Sequence, residues 1–272
     1  MRRLGVIGWP VAHSRSPAMF EAAFREHGME QQWSYQKLPV PPELFDRTVR
    51  ALSGSGFLGA NVTIPHKSAA LALADSPSRA AETIGAANTL TFRDDGSIAA
   101  ENTDAPGLIS ALGCSPEGMR ALVLGAGGSA RAVVWALSEA GADVCVWNRT
   151  PTRAMELAAA LGVRAVDRAV PADLLVNCTS VGLDSGARRP LASEPSALNQ
   201  LPLGADQVGE YSYVVDLVYR NGDTPLIAAA RSAGAHVVDG LDVLVAQGAL
   251  SFELWTGRPA PREAMRRGAR ME

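Results

Sequence analysis

The apolar run Ala121-Leu122-Val123-Leu124 passes directly into Gly125-Ala126-Gly127-Gly128-Ser129-Ala130, which in turn opens an Ala/Leu-rich helical stretch. No other feature limits the possible folds so sharply. Glycines in a G-x-G-x-x-G/A pattern let the backbone turn tightly and approach a pyrophosphate, whose charge then faces the free N–H groups of a helix N-terminus. The spacing predicts a Rossmann-type, doubly wound domain with a dinucleotide cradled by residues 125–130. Further strand-like runs at 143–147, 174–177, 214–218 and 236–238 alternate with helical stretches such as 130–140 and 153–161, and Gly141 and Gly162 stand where C-caps belong.

The end of the second of these strands discriminates between cofactors. An NAD site usually places Asp or Glu there to accept from the ribose 2′-hydroxyl, but this chain has Asn148-Arg149-Thr150-Pro151-Thr152-Arg153. Guanidinium groups give paired, charge-assisted hydrogen bonds to phosphate, so Arg149 and Arg153 with the Thr150 hydroxyl suit the 2′-phosphate of NADP. The alternative is that both arginines only decorate the first turns of an exposed helix.

The first hundred residues carry a second α/β rhythm: strand-like runs at 4–7, 33–38 and 59–63, a helix from about 17 to 27 and another after Pro42. Asp94-Asp95-Gly96 separates two further runs, 88–92 and 97–100, as a hairpin turn would. Residues 183–212 are rich in Pro, Ser and Gly and read as long loops with one short helix, and a last helical region covers 242–256. The expected fold is α/β with two domains and a cleft between them. Residues 1–103 with 241–272 form an open, mostly parallel sheet domain for substrate and catalysis, and 104–240 the NADP-binding domain.

Composition narrows the function. Twenty-five basic against 28 acidic residues give a net charge of −3, which disfavours a general nucleic-acid binder. No apolar run reaches the roughly eighteen residues of a membrane span, and the N-terminus lacks a secretory apolar region, so a cytoplasmic protein is expected. Three cysteines, Cys114, Cys145 and Cys178, form no CxxC pair and indicate neither a disulfide framework nor a metal site. Cys145 and Cys178 read as small buried hydrophobes. Among the 25 basic residues only Lys37 and Lys67 are lysines.

Ser14-Arg15-Ser16-Pro17 places two hydroxyls two residues apart before a helix, where they can bind a carboxylate together with helix N-terminal amides. The plainer reading is that Ser16 caps that helix, with Pro17 at its first position. Asn61-Val62-Thr63-Ile64-Pro65-His66-Lys67 lies at the carboxyl end of the third strand, the edge where open α/β sheets bind ligands. Asn61 and Thr63 are expected to share one face of that strand. Asn102-Thr103-Asp104 follows the hairpin similarly. A lysine and a carboxylate brought together can run a proton relay with a substrate oxygen.

Taken in chain order, these segments resemble the shikimate dehydrogenase family, as do Gly85-Ala86-Ala87-Asn88-Thr89, Asn177-Cys178-Thr179-Ser180-Val181-Gly182, Asp216-Leu217-Val218-Tyr219 with Thr224-Pro225-Leu226, and the stretch from Gly240 to Gln247. The resemblance covers nearly the whole chain. It implies NADP-linked, reversible reduction of 3-dehydroshikimate to shikimate on the route to chorismate and aromatic amino acids. It also implies that Lys67 and Asp104 are the catalytic pair, and that Ser14, Ser16, Thr63, Asn88, Asp104, Tyr219 and Gln247 hold the substrate. On the cofactor side it implies contacts from Gly125, Ala126, Gly127, Gly128, Ser129, Ala130, Asn148, Arg149, Thr150 and Arg153. Thr179, Leu217 and Gly240 match positions near the nicotinamide end. The implied partner is the small-molecule substrate, with no nucleic acid or membrane, in a monomer or homodimer.

Some positions depart from the family's commonest pattern: Phe20-Glu21 in place of His-Asn, Ser129 in place of Ala, and Ala100 in place of Gly. None removes a substrate-facing group. Three other readings stand beside this one. A quinate/shikimate dehydrogenase using NAD or NADP is disfavoured by the arginine pair, and a methylenetetrahydrofolate dehydrogenase by the two-serine segment. A non-catalytic NADP-binding sensor is disfavoured by the intact Lys67 and Asp104.

Overall fold

A computed structural model describes residues 1–183 and 197–271. The chain divides into two compact units, Met1–Gly107 with Leu244–Glu272, and Leu108–Val243.

The first unit begins with β1 (Arg2–Gly8), α1 (Ser16–Glu26) and β2 (Trp33–Pro39). A 3₁₀ turn, Pro42–Leu44, leads into α2 (Phe45–Ser53), and then come β3 (Phe57–Val62), α3 (Lys67–Leu73), β4 (Ser76–Pro77), α4 (Arg79–Ile84), β5 (Thr89–Phe92), β6 (Ile98–Glu101) and α5 (Asp104–Leu112). The strands order as β2-β1-β3-β5-β6-β4. Only β5 runs against the rest, pairing antiparallel with both β3 and β6. The β5–β6 hairpin turns through Gly96 at φ +83°, where the missing Cβ removes the left-handed penalty. Asp95 supports the turn by accepting from the Ser97 amide at 2.9 Å and its hydroxyl at 2.6 Å.

Parallel strands need crossover helices on the sheet faces. One apolar cluster joins Phe45, Val49 and Leu52 of α2 to Ile7, Ala60 and Leu90 of the sheet. In another region Phe20 of α1 stacks on Tyr35 at 4.2 Å between ring centroids, and Phe252 and Trp255 lie 6.3 and 5.8 Å from Phe20. Burying such side chains stabilises a fold by roughly 1.5–3 kcal/mol each.

The second unit contains β7 (Arg120–Leu124), α6 (Gly128–Glu139), β8 (Asp143–Trp147), α7 (Pro151–Leu161), β9 (Arg164–Ala165), β10 (Leu174–Asn177), β11 (Tyr213–Asp216), α8 (Pro225–Ser232) and β12 (His236–Val238). Its strands are all parallel and order as β12-β11-β10-β7-β8-β9. Counted from β7 this is 6-5-4-1-2-3, the Rossmann order, and it reverses between β7 and β10. The glycine loop follows β7, at that switch point. After β12 come α9 (Gly240–Thr256) and α10 (Arg262–Arg270).

Several local expectations change. The segment expected as loops with one short helix carries two 3₁₀ turns, Ala197–Gln200 and Gln207–Glu210, while residues 184–196 of it lie outside the described residues. The last helical region is followed by α10, a further helix. Cys145 is buried as expected, but Cys178 is only half-buried, because it sits on the loop after β10 and not in the strand.

Candidate active site

In the first unit Lys67 opens α3 and Asp104 opens α5. Lys67 Nζ donates to Asp104 Oδ2 at 2.5 Å, with side-chain exposures of 10 % and 16 %. A charge pair so far out of water holds only if the remaining polar atoms are satisfied, and Asn88 does this. Its Nδ2 donates to Asp104 Oδ1 at 2.8 Å and reaches Thr103 Oγ1 at 3.0 Å and Gln247 Oε1 at 3.2 Å. Asn88 Oδ1 accepts from the Thr103 amide at 2.7 Å, which fixes the direction of the amide, since only its oxygen can face an N–H. The backbone around the pair is tied as well: Ala87 N donates to Lys67 O at 2.9 Å.

Gln247 comes from α9 and is buried. It approaches the Asp104 helix because position 107 is glycine: a Cβ there would lie 2.8–2.9 Å from the Cβ, Cα and N of Gln247.

Ser14 and Ser16 are both buried, each 4 % exposed. Ser14 Oγ accepts from the Ser16 amide at 3.3 Å. The N-cap position of α1 falls on Arg15, with no side-chain cap bond, and Ser16 is inside the first turn. The capping role considered for Ser16 is therefore not what this helix uses. The loop before the serines is fastened by Lys37, whose Nζ donates to Ala12 O at 2.7 Å. Burial, and secondarily the Lys37 charge, hold the His13 imidazole below its ordinary pKa.

Asn61 and Thr63 have separate surroundings. Thr63, just beyond β3, is half-buried and its methyl occupies the space a Cβ on Gly8 would need. Asn61 is buried and turned inward: Tyr35 Oη donates to its Oδ1 at 2.8 Å, and its Nδ2 donates to Ser251 Oγ at 2.9 Å and Thr89 Oγ1 at 3.1 Å. Tyr35 and Ser251 carried no signal in the sequence. An aromatic in a strand reads as core, and a serine on an apolar helix reads as filler, although its placement four residues after Gln247 puts both on one helix face.

The second unit holds a groove of about 180 Å³ lined by Gly125, Ala126, Gly127, Trp147, Asn148, Arg149, Cys178, Thr179, Ser180, Val181 and Gln200. Gly125 has φ +113°, and a Cβ on it would lie 3.1 Å from the Cys178 carbonyl group. Glycine is thus required twice there, by conformation and by contact. Gly127 is the N-cap of α6, and the space where its Cβ would project is open. A backbone cradle on a helix N-terminus, with nothing filling it, fits a pyrophosphate. Gly128, Ser129 and Ala130 form the first turn of α6 behind it.

Arg149 and Arg153 are exposed, Arg149 on the groove's rim and Arg153 in the first turn of α7. Asn148 Nδ2 donates to Thr150 O at 2.9 Å, closing the turn between them. Opposite the glycine loop, Asn177 Oδ1 accepts from Thr179 N at 3.0 Å and Thr179 Oγ1 at 2.7 Å. Asn177 Nδ2 donates to Asp216 Oδ1 at 2.9 Å, and Thr224 Oγ1 donates to Asp216 Oδ2 at 2.6 Å. Asp216 is 1 % exposed. Burial pushes its carboxyl up to about 6, against the lowering effect of the Thr224, Val218 and Asn177 donors. Leu217 N donates to Asn177 O at 3.0 Å, and a Cβ on Gly240 would lie 2.6–2.7 Å from the Val218 and Leu217 carbonyl oxygens. Tyr219 is half-buried in this second unit; among the described residues it is not part of the groove lining.

Family models match most of the chain: a shikimate dehydrogenase substrate binding domain over residues 6–90, a shikimate/quinate 5-dehydrogenase domain over 110–179, and a shikimate 5′-dehydrogenase C-terminal domain over 240–269. The shikimate dehydrogenase (NADP(+)) of Thermus thermophilus is 45 % identical over 274 residues, covering 99 % of this chain and 98 % of its own. That of Methanopyrus kandleri is 44 % identical over 282 residues, with coverage of 97 % and 93 %. The crystal structure of a Thermus thermophilus shikimate 5-dehydrogenase in complex with NADP(H) and shikimate matches with a TM-score of 0.84 at 42 % identity, covering 100 % of this chain and 99 % of that one.

Proposed function

The chain belongs to the shikimate dehydrogenase family, and from that membership we propose that Lys67 and Asp104 are the acid–base pair of its reaction. It is an NADP-dependent oxidoreductase that reversibly reduces 3-dehydroshikimate to shikimate. The observation that carries the assignment of the pair is the 2.5 Å contact of Lys67 Nζ with Asp104 Oδ2, braced by Asn88, which also reaches Thr103 and Gln247.

When bound, NADPH supplies a hydride to the substrate's C3 carbonyl carbon. The Lys67 ammonium stabilises the negative charge that develops on the C3 oxygen and donates the proton that completes the hydroxyl. In the oxidative direction the same amine accepts that proton. Asp104 keeps the amine in place through Oδ2, while Asn88 holds Oδ1. Asn88, Gln247 and Thr63 orient the ring hydroxyls, and the Ser14/Ser16 pair takes the carboxylate; several convergent hydrogen bonds are what a small polyhydroxy acid needs for a single reactive pose. Tyr219 adds a further hydroxyl contact.

In the groove of the second unit, Gly125 to Ala130 receive the pyrophosphate, and Asn148, Arg149, Thr150 and Arg153 the 2′-phosphorylated ribose. Thr179, Leu217 and Gly240 serve the nicotinamide end. The proposed setting is the cytoplasm, as a monomer or homodimer.

The test compares initial rates for shikimate or quinate with NADP or NAD, read by nicotinamide absorbance. Shikimate with NADP has the largest kcat/KM on this account; a preference for quinate or for NAD contradicts it.

A further inference from the structure

Beneath the Lys67–Asp104 pair the first unit buries an unbroken polar chain. Tyr35 Oη donates to Asn61 Oδ1 (2.8 Å), Asn61 Nδ2 to Thr89 Oγ1 (3.1 Å), Thr89 Oγ1 to Asn88 Oδ1 (3.1 Å), and Asn88 Nδ2 to Asp104 Oδ1 (2.8 Å). Tyr35 is 4 % exposed, Asn61 5 %, Thr89 0 % and Asn88 2 %.

Its direction is fixed at both amides. Asn61 Nδ2 also donates to the Asn88 carbonyl at 3.3 Å, a group that only accepts, so the Asn61 oxygen must face Tyr35. Asn88 Oδ1 is held by the Thr103 amide. With both amides pinned, the links at Asn61 and Asn88 donate toward the Asp104 carboxylate, and the Thr89 hydroxyl, which also meets Ser251 and Thr103, completes the line when it donates to Asn88 Oδ1. In a low-dielectric interior such bonds polarise one another, so each donor upstream strengthens the last bond in the line. Ser251 closes the chain sideways: its Oγ meets Thr89 Oγ1 at 2.9 Å and Thr103 Oγ1 at 3.2 Å, and donates to Gln247 O at 3.2 Å.

We propose that Tyr35 is a remote positioning residue for the acid–base pair, acting through Asn61, Thr89 and Asn88 to hold Asp104 Oδ1 and leave Oδ2 to Lys67. The inference rests on the assignment of Lys67 and Asp104 as that pair. Tyr35 is suited to the task because its ring is clamped by the stack on Phe20, at an interplanar angle of 16°, which fixes where its phenolic oxygen lies. Phe20 stands where the family often has histidine, and here it supplies a purely apolar face to that stack.

The test is Tyr35→Phe, which keeps the ring and removes one oxygen. Removing it leaves the buried Asn61 oxygen without this donor. The expected result is a fall in kcat on the order of tenfold, with KM for shikimate unchanged because Tyr35 does not touch substrate in this account. Phe24→Leu, a core change in the same aromatic cluster, serves as the control for lost stability and keeps kcat. In an Asn88→Ala background, where the line is already cut, Tyr35→Phe has no further effect on kcat. An unchanged kcat in Tyr35→Phe, a loss matched by Phe24→Leu, or a full additional loss in the Asn88→Ala background each overturns the proposal. If the unaltered protein fails to turn over shikimate with NADP, the reading of the site itself fails, which is a separate result.

Discussion

Asn88 Nδ2 lies 2.8 Å from Asp104 Oδ1 while Lys67 Nζ takes Oδ2, so the carboxylate is divided between an amide on one oxygen and an amine on the other. Asn88 ends the turn after α4, Lys67 begins α3 and Asp104 begins α5. The three groups meet because the antiparallel β5 returns the chain beside β3, where Asn61 pairs with Thr89.

In the proposed assignment, cofactor choice is set at the end of β8. Arg149 sits exposed on the rim of the groove, so Arg149→Gln removes the charge proposed to meet the 2′-phosphate without touching the core. Loss of such a charge-assisted contact costs about 1.5–3 kcal/mol, which predicts a rise in KM for NADP of roughly ten- to a hundredfold and little change for NAD. Steady-state kinetics with both cofactors at saturating shikimate measure this. Equal effects on the two would remove Arg149 from phosphate recognition.

Asp216 gives a pH dependence of stability with a definite sign. Its carboxyl titrates at about 6 in the fold, against a reference of 3.8, so the native state binds this proton more tightly than the unfolded chain. The contribution is present below pH 4 and is lost as pH rises through about 6. Its full size is on the order of 3 kcal/mol. Urea unfolding of the unaltered protein and of Asp216→Asn, compared from pH 4 to pH 7, should show the variant gaining relative stability as pH rises. A difference that does not vary with pH would show that Asp216 has no raised pKa.

Much of this architecture is legible in the sequence alone. The glycine loop after β7 carries its own geometric demands, and the alternation of strand and helix around it leaves few topologies; the observed order follows. Elements whose stability lies elsewhere are hidden. The strand β4 has two residues, Ser76 and Pro77, and exists only by pairing with Ala99 and Ala100. The helix α10 has a mostly charged sequence, and its Gly268 reads as a breaker, yet a Cβ there would lie 2.5 Å from Ala18 O. That glycine is what lets α10 lie against α1. In the site, the motif residues Lys67, Asn88 and Asp104 announce themselves by type and spacing. Tyr35 and Ser251 do not, because their partners stand 26 and 190 positions away and no local pattern records such a bond.

Gly107 links the Asp104 helix to Gln247 by absence of a side chain. In Gly107→Ala the new methyl meets backbone atoms of Gln247 at 2.9 Å, and neither helix can relieve this by a rotamer change. Overpacking of this kind costs roughly 1–3 kcal/mol. The expected outcome is a lower melting temperature together with a raised KM for shikimate, as Gln247 is displaced from Asn88. A stability loss with unaltered KM would separate the packing at Gly107 from substrate binding.

Proton exchange between Lys67 and the substrate oxygen, as proposed, is tested most directly by Lys67→Arg. Arginine keeps the positive charge and can still pair with Asp104, but guanidinium does not release its proton in the working pH range. Shikimate binding, measured by calorimetry, is expected to survive while kcat falls by roughly 10²–10⁴. A Lys67→Arg enzyme that turns over at the rate of the unaltered protein would contradict it.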